Sequence, residues 1–83
     1  MNTEQAFGLS LRNVRTTHSL SQEQLAEKSG LHRTYVSQLE RGLKSPSLST
    51  LFRLAAAFGI PPHQLIQRTE TVLLESSNET GKD

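Results

Sequence analysis

The stretch SQEQLAEKSGLHRTYVSQLERG, residues 21–42, predicts two short amphipathic helices joined by a glycine turn. Ser21 can cap the first helix with its hydroxyl, and Gln24, three residues later, can complete a capping box. Gly30 permits the left-handed backbone that a sharp turn between two helices requires. A second helix is then expected from about Arg33 to Arg41.

This second helix has an apolar side and a polar side. Val36 and Leu39 fall on the side that faces a core, with Glu40 beside them. The other side carries hydrogen-bonding side chains: Arg33, Thr34, Ser37 and Gln38. Two helices in this order have the layout of a helix-turn-helix, whose second helix enters the major groove of DNA.

Several short motifs follow one another along the chain: Gly8, Leu11, Arg12, Arg15, SQEQLA (21–26), Gly30, SQLERG (37–42), Pro46 and LSTLFRLAAAFGI (48–60). In this order they resemble a known family, the helix-turn-helix domains of the phage-repressor and Cro type, also called the xenobiotic-response-element family. The resemblance runs from about Phe7 to Ile66. Within that family, HRTYVSQLERG (32–42) is most similar to the controller proteins of restriction-modification systems, which are small dimeric activators and repressors. The loop LKSPSLST (43–50) resembles the general family instead.

Length and composition bound the class of protein. The 83 residues suffice for one small domain, which is marginally stable alone, so that a dimer partner would help. The chain has no cysteine, which excludes disulfides and thiolate metal sites and suits a reducing cytoplasm. No apolar run approaches the ~20 residues that span a bilayer, and the N-terminus does not resemble a signal peptide. We therefore expect a soluble, cytoplasmic protein without membrane contact.

The net charge of +1 is unevenly distributed along the chain. Between Gln5 and Arg68, eight basic and three acidic residues give +5, whereas residues 69–83 carry one basic and four acidic residues and a charge of −3. Glu4 accounts for the remaining charge. A basic body with an acidic tail fits a surface that faces phosphates.

The periodicity predicts an all-α, five-helix, repressor-like DNA-binding domain. A first helix is expected from about Thr3 to Thr17, and Gly8 within it indicates that another helix packs closely there. Ser47 can cap a fourth helix that ends at Gly59. A fifth helix opens at Pro61 and Pro62.

The C-terminal part is the least regular. Residues 1–68 are expected to form the helix-turn-helix domain, and residues 69–83 a C-terminal extension that takes part in dimerisation before a flexible acidic tail. The segment 69–74 is compatible with continuation of the fifth helix or, because it favours β structure, with an extended segment. From Ser76 onward a solvated tail is expected.

Candidate base contacts lie at the front of the second helix of the pair. Arg33 can donate two hydrogen bonds to guanine O6 and N7, Gln38 can pair with adenine N6 and N7, and the Thr34 methyl can touch a thymine methyl. The simpler alternative is a solvated helix face. The complete candidate set is His32, Arg33, Thr34, Ser37 and Gln38.

A second candidate set contacts DNA phosphates, fixing position without selecting sequence. Gln22 begins a helix whose amide dipoles favour an anion, and basic and hydroxyl side chains follow around the next loop. Tyr35 has two interpretations, a core residue or a phosphate ligand, and the resemblance favours the latter. Simple solvation of the loop is the alternative for its lysine and arginine. The set is Gln22, Tyr35, Arg41, Lys44, Ser45 and Ser47.

The family resemblance further implies a structural pair and a dimer. Family members join the positions of Arg15 and Glu40 by a partly buried ion pair, which predicts orientation of the second helix rather than catalysis. Selective binding needs two half-sites, hence a homodimer that binds an inverted repeat. The apolar residues left over for the dimer interface are Ile60, Leu65, Ile66, Val72 and Leu73.

An enzyme is not predicted. The three histidines have no partners at metal-ligand spacing, and no glycine-rich phosphate loop is present. We expect neither a cofactor nor a metal nor a small-molecule substrate, and double-stranded DNA as the partner. The alternative function is a helix-turn-helix protein-interaction module, such as the antitoxin half of a toxin-antitoxin pair, which predicts a front face poor in base-contacting residues.

Overall fold

The computed structural model describes the backbone of residues 1–81 and the side chains of residues 1–77. These residues form five helices and no strand, which confirms the predicted all-α fold. The helices are α1 (Thr3–Thr17), α2 (Gln22–Ser29), α3 (Arg33–Glu40), α4 (Leu48–Phe58) and α5 (Pro62–Gly81).

Local capping signals determine where α2 begins and ends. The Ser21 hydroxyl accepts a hydrogen bond from the backbone N–H of Gln24 at 3.0 Å, and the Ser21 N–H donates to Gln24 Oε1 at 2.8 Å. Gly30 then adopts φ +73°, the left-handed conformation that few other residues tolerate. The predicted capping box and glycine turn are both present, so the sequence around the turn specifies its own geometry.

Each helix contributes one fully buried leucine to a single hydrophobic core. α1 packs against α3 and α5, α2 against α3 and α4, and α4 against α5. Because every helix contributes to the same core, the position of α3 is determined by packing against the rest of the domain and not by contacts within this short helix. The five leucines are Leu11, Leu25, Leu39, Leu54 and Leu65.

The burial of Leu65 corrects its assignment to the dimer interface. Its side chain has no exposed area and belongs to the core of the single chain. Leu65 and Thr69, four residues apart, lie on the same side of α5, and both are buried. The predicted interface therefore loses Leu65, because packing within the single chain already covers it.

The end of the chain is more regular than expected. α5 runs without interruption to Gly81, so the helical continuation, one of the two alternatives for the segment 69–74, is the one observed, and the expected boundary at residues 68 and 69 falls inside a helix. The expected tail from Ser76 is helical as far as Gly81, while residues 82–83 lie outside the described part of the chain. Packing of α5 against α1 overrides the local β preference.

Close contact between α1 and α3 occurs at Gly8, as its position in the sequence predicts. A Cβ atom built on Gly8 would lie 2.5 Å from the carbonyl oxygens of both Leu39 and Glu40. Those oxygens belong to the backbone of the last turn of α3 and cannot rotate away. Glycine at this position therefore allows the two helices to approach closely.

Replacing Gly8 with alanine should destabilise the protein. Alanine improves helix propensity by up to ~1 kcal/mol, but the methyl group forces the two backbones apart, at a cost of about 1 to 3 kcal/mol or more. We expect a lower melting temperature in thermal unfolding followed by circular dichroism. Asn13→Ala, at an exposed position of the same helix, is the matched control and should not lower it. Equal melting temperatures for Gly8→Ala and the native protein would contradict the close contact.

Candidate nucleic-acid interface

The recognition face of α3 consists of the side chains that the core leaves uncovered. Val36 and Leu39 are completely buried and hold one side of the helix against the domain. Arg33 and Thr34, in the first turn, are exposed, whereas Ser37 and Gln38 are half-buried. The first turn of α3 is thus the part of the candidate base-contacting set most accessible to DNA.

His32 precedes this face and occupies the N-cap position of α3. Its side chain makes no capping hydrogen bond, whereas Asn2, Ser21 and Ser47 cap α1, α2 and α4 with their side-chain oxygens. The imidazole is exposed. His32 therefore contributes no cap to the helix, and its side chain extends the exposed surface at the front of α3.

Of the two interpretations of Tyr35, the structure shows the contact with the core, and phosphate contact stays a prediction. It is half-buried, and its side chain packs against the edge of the hydrophobic core. Tyrosine is suited to such a boundary because an apolar ring carries a polar hydroxyl at its end. The core contact is thus observed, and it does not occupy the whole side chain.

The candidate phosphate contacts around the loop after α3 differ in whether their polar groups are engaged in hydrogen bonds within the domain. Arg41, Lys44 and Ser45 are exposed. The Ser47 hydroxyl instead accepts a hydrogen bond from the Thr50 N–H at 3.1 Å and lies 2.9 Å from Thr50 Oγ1. Ser47 is therefore engaged in starting α4, while the three exposed residues provide two positive charges and a hydroxyl beside α3.

The predicted structural pair is brought together between α1 and α3. Arg15 Nε donates to Glu40 Oε2 at 2.6 Å, and Arg15 Nη2 donates to Glu40 Oε1 at 3.0 Å. The Arg15 and Glu40 side chains are only 12% and 4% exposed. A two-bond guanidinium–carboxylate contact fixes orientation as well as distance, so this pair holds α3 at a defined angle to α1.

Two further hydrogen bonds at this pair have no signal in the sequence. Arg15 Nη1 donates to the carbonyl oxygen of Leu20, in the loop before α2, at 2.8 Å. Gln22 Nε2 donates to Glu40 Oε1 at 3.0 Å. Both contacts depend on how α2 sits against α1 and α3, which spacing along the chain does not reveal. Gln22, placed among the candidate phosphate contacts because it begins α2, thus donates one side-chain hydrogen bond to Glu40.

A shallow groove runs over this cluster towards the recognition face. Arg15, Gln22 and Arg33 all line it, so the candidate base contact and the first residue of α2 share one surface. Arg15 is neutralised by Glu40, whereas Arg33 forms no ion pair among the described residues. The groove thus brings Arg33 next to the first turn of α2, where the carboxylate of Glu23 also lines it and the helix amides favour anions.

Histidine and acidic side chains do not cluster in the described part of the chain. No three histidine or acidic side chains come together there as a metal site would require. None of the described helices is both long and apolar enough to cross a membrane. His18 packs its ring against Phe58, with the ring centroids 5.2 Å apart, and lies 2.9 Å from the Val14 carbonyl oxygen. Its surroundings are those of a helix-end residue.

Comparison with known proteins agrees with this geometry. Residues 11–65 match the family model described as helix-turn-helix. The chain belongs to the helix-turn-helix family. The matched region contains both helices of the turn and ends at Leu65 in α5.

Similar proteins of this family include restriction-modification controllers. The control protein C.SmaI of Serratia marcescens is 43% identical over 68 residues, which cover 82% of this chain and 81% of that protein. The control protein C.BamHI of Bacillus amyloliquefaciens is 39% identical over 69 residues, covering 82% and 85%. The crystal structure of the controller protein C.AhdI from Aeromonas hydrophila matches with a TM-score of 0.73 and 47% identity, covering 75% of this chain and 94% of that one. The chain is thus a helix-turn-helix regulator related to controller proteins.

Arg15→Ala should destabilise the fold because it leaves the Glu40 carboxylate buried without its cation. The expected loss is about 3 kcal/mol or more, larger than the net contribution of the pair itself. Thermal and urea unfolding followed by circular dichroism measure it. Arg12→Ala, an exposed arginine on the same helix, is the matched control and should change stability little. If both variants unfolded like the native protein, the pair would not have the structural role assigned to it.

Proposed function

We propose that the protein is a homodimeric, sequence-specific transcription regulator that binds an inverted-repeat operator, with one α3 per subunit in the major groove. The exposed first turn of α3, with Arg33 and Thr34 in front and the opposite side locked in the core, is the observation that supports this most directly. A helix-turn-helix uses this turn to contact base edges. The similarity to control proteins of restriction-modification systems is consistent with regulation of transcription.

Each exposed side chain at the front of α3 has a chemical preference. Arg33 can donate two parallel hydrogen bonds to guanine, and the Thr34 methyl can contact thymine. Gln38 and Ser37, half-buried further along the helix, can reach bases only near the centre of the contact. We propose His32 and Arg33 for the edge of the half-site and Thr34, Ser37 and Gln38 for its middle.

Backbone contacts would surround these base contacts. Lys44, Arg41 and Ser45 are exposed in the loop after α3 and can bind phosphates. The Tyr35 hydroxyl and the first-turn amides of α2 are further donors towards phosphate, whereas Ser47 contributes mainly through the N-terminus of α4 that it caps. These contacts supply affinity that falls with salt and does not depend on sequence.

Two subunits are needed because one recognition helix covers only a few base pairs. Two half-sites on one face of the duplex lie about one helical turn apart, ~34 Å. We propose that the α5 side of the domain forms the two-fold contact. Ile66 is 48% exposed, and Ile60, Val72 and Leu73 are half-buried. A two-fold contact would cover these apolar side chains in both copies at once.

A second exposed apolar stripe lies on α4. Leu48 and Phe52, one turn apart, are 71% and 54% exposed and point away from the inner stripe of that helix. Their spacing of four residues is visible in the sequence and could have identified them. They offer an alternative contact for the second subunit, which separate substitutions on the two helices can distinguish.

The first prediction from this proposal separates base contact from phosphate contact. Arg33→Ala should lower affinity for the preferred duplex by ~1 to 3 kcal/mol and relax the preference at a guanine. Lys44→Ala should weaken binding to all duplexes alike and reduce the slope of affinity against salt concentration by about one unit. Fluorescence anisotropy with a preferred and a scrambled duplex measures both effects.

Two other outcomes would contradict parts of this proposal. If Arg33→Ala reduced binding to both duplexes equally, Arg33 would not be a base contact. If the native protein bound no duplex in a salt-dependent manner, the alternative of a protein-interaction module would be favoured instead.

The second prediction concerns the subunit contact. Ile66→Glu should shift the protein from dimer to monomer in analytical ultracentrifugation and abolish cooperative binding, while circular dichroism stays helical. A buried charge without a partner is costly in an interface but tolerated at an exposed position of a free subunit. Phe52→Glu is the matched variant on α4. Loss of the dimer with Phe52→Glu alone would move the contact to α4, and a native protein that is monomeric at micromolar concentration yet fully active on one half-site would rule out the dimer.

A further inference from the structure

The Glu40 carboxylate joins three helices at one point. Its Oε2 accepts from Arg15 Nε, and its Oε1 accepts from both Arg15 Nη2 and Gln22 Nε2, at 2.6, 3.0 and 3.0 Å. Arg15 lies in the last turn of α1, Gln22 is the first residue of α2, and Glu40 is the last residue of α3. With the carboxylate side chain only 4% exposed, protein donors replace most of its hydration.

The hydrogen bond from Gln22 joins the beginning of α2 to the end of α3, and the proposed function assigns these two helices different DNA contacts. The first turn of α2 faces a phosphate with its amides, and α3 presents side chains to the bases. The Gly30 turn already connects the other end of α2 to the beginning of α3. A hydrogen bond from Gln22 to Glu40 closes the opposite side of this pair, so α2 and α3 are linked at two places rather than one.

We propose that Gln22 is a positioning residue for sequence recognition: its side-chain amide, acting through Glu40, sets the angle between the phosphate-facing end of α2 and the base-contacting helix α3. This inference rests on the proposed function and assigns Gln22 a role different from direct phosphate contact. One N–H of its side-chain amide is bonded to Glu40, and the backbone amides at the start of α2 remain available to an anion.

A neutral donor suits this position. Arg15 already balances the charge of Glu40, so a second cation would leave an excess positive charge in a partly buried site, and an acidic side chain would oppose the carboxylate. Glutamine supplies an N–H donor without charge and is long enough to reach across from α2. Removing the amide would leave Glu40 Oε1 with a single donor in a site that water reaches poorly.

Base contacts and phosphate contacts respond differently to a change in helix angle. Directional hydrogen bonds to base edges require the recognition helix to be held within about 0.5 Å and 10 to 20° of its bound geometry. Non-specific attraction to the phosphate backbone depends mainly on the number of positive charges. Loosening α2 relative to α3 should thus reduce discrimination between sequences more than it reduces general DNA binding.

The experiment uses the full chain and a duplex obtained by in vitro selection from random sequences. Affinity for this duplex and for a scrambled one is measured for the native protein, Gln22→Ala, Gln22→Glu and the control Gln67→Ala, an exposed glutamine on α5. Gln22→Ala should weaken binding to the selected duplex about tenfold and leave the scrambled duplex unchanged, since a hydrogen bond to a charged group is lost. Gln22→Glu should reduce the ratio further, and Gln67→Ala should leave it unchanged.

Two results would overturn the inference. Equal weakening on both duplexes would make Gln22 a direct phosphate ligand, and an unchanged ratio in Gln22→Ala would remove any role in recognition. Failure of the native protein to select a sequence would instead contradict the proposed function. An NMR spectrum of the free protein separates these failures: slow exchange of the Gln22 side-chain amide supports its bond to Glu40, whereas fast exchange like that of Gln67 contradicts it.

Discussion

The ion pair between Arg15 and Glu40 is the contact on which the orientation of α3, the proposed recognition helix, depends. α3 has only eight residues, and a helix of that length is not stable in water by itself. Its direction must therefore come from tertiary contacts. Val36 and Leu39 fix its depth in the core, and the two-bond contact of Glu40 with Arg15 fixes its angle to α1.

The backbones of α1 and α3 also approach each other closely at Gly8. Glycine permits this approach, because the carbonyl oxygens of Leu39 and Glu40 occupy the space where any side chain would begin. Gly8 and Arg15, seven residues apart on α1, thus both contribute to the contact between α1 and α3. The arrangement favours a defined position of α3 over maximum stability, since a buried ion pair adds little net stabilisation compared with apolar packing.

Local signals allowed most of the fold to be predicted from the sequence. Ser21 with Gln24, Gly30 and Ser47 each determine a helix end through bonds or backbone angles within a few residues, and each is present as expected. For residues 69–74 the sequence is compatible with both a helix and an extended segment, and packing of α5 against α1 favours the helix. The helix beyond Ser76 contradicts the expected solvated tail. Leu65 was misassigned for a related reason: its burial depends on where α5 lies on the domain.

The candidate site likewise has some features that local sequence signals predict and others that depend on tertiary packing. The exposed residues of α3 follow from helical periodicity once the two helices and their turn are recognised, and Arg33 and Thr34 are exposed as that pattern predicts. The hydrogen bond from Gln22 to Glu40 joins residues 18 positions apart on two different helices, so it follows only from three-dimensional placement. The sequence therefore indicates which side chains are candidates for DNA contact, and the structure indicates what holds them in place.

Chemical footprinting on a selected duplex tests the central proposal most directly. Two α3 helices in the major groove predict two protected patches on one face of the DNA, about one helical turn or ~34 Å apart, related by an inverted repeat. They also predict that methylation of guanine N7, a major-groove atom, within either patch prevents binding. A single protected patch, or binding that is insensitive to guanine N7 methylation, would contradict the account.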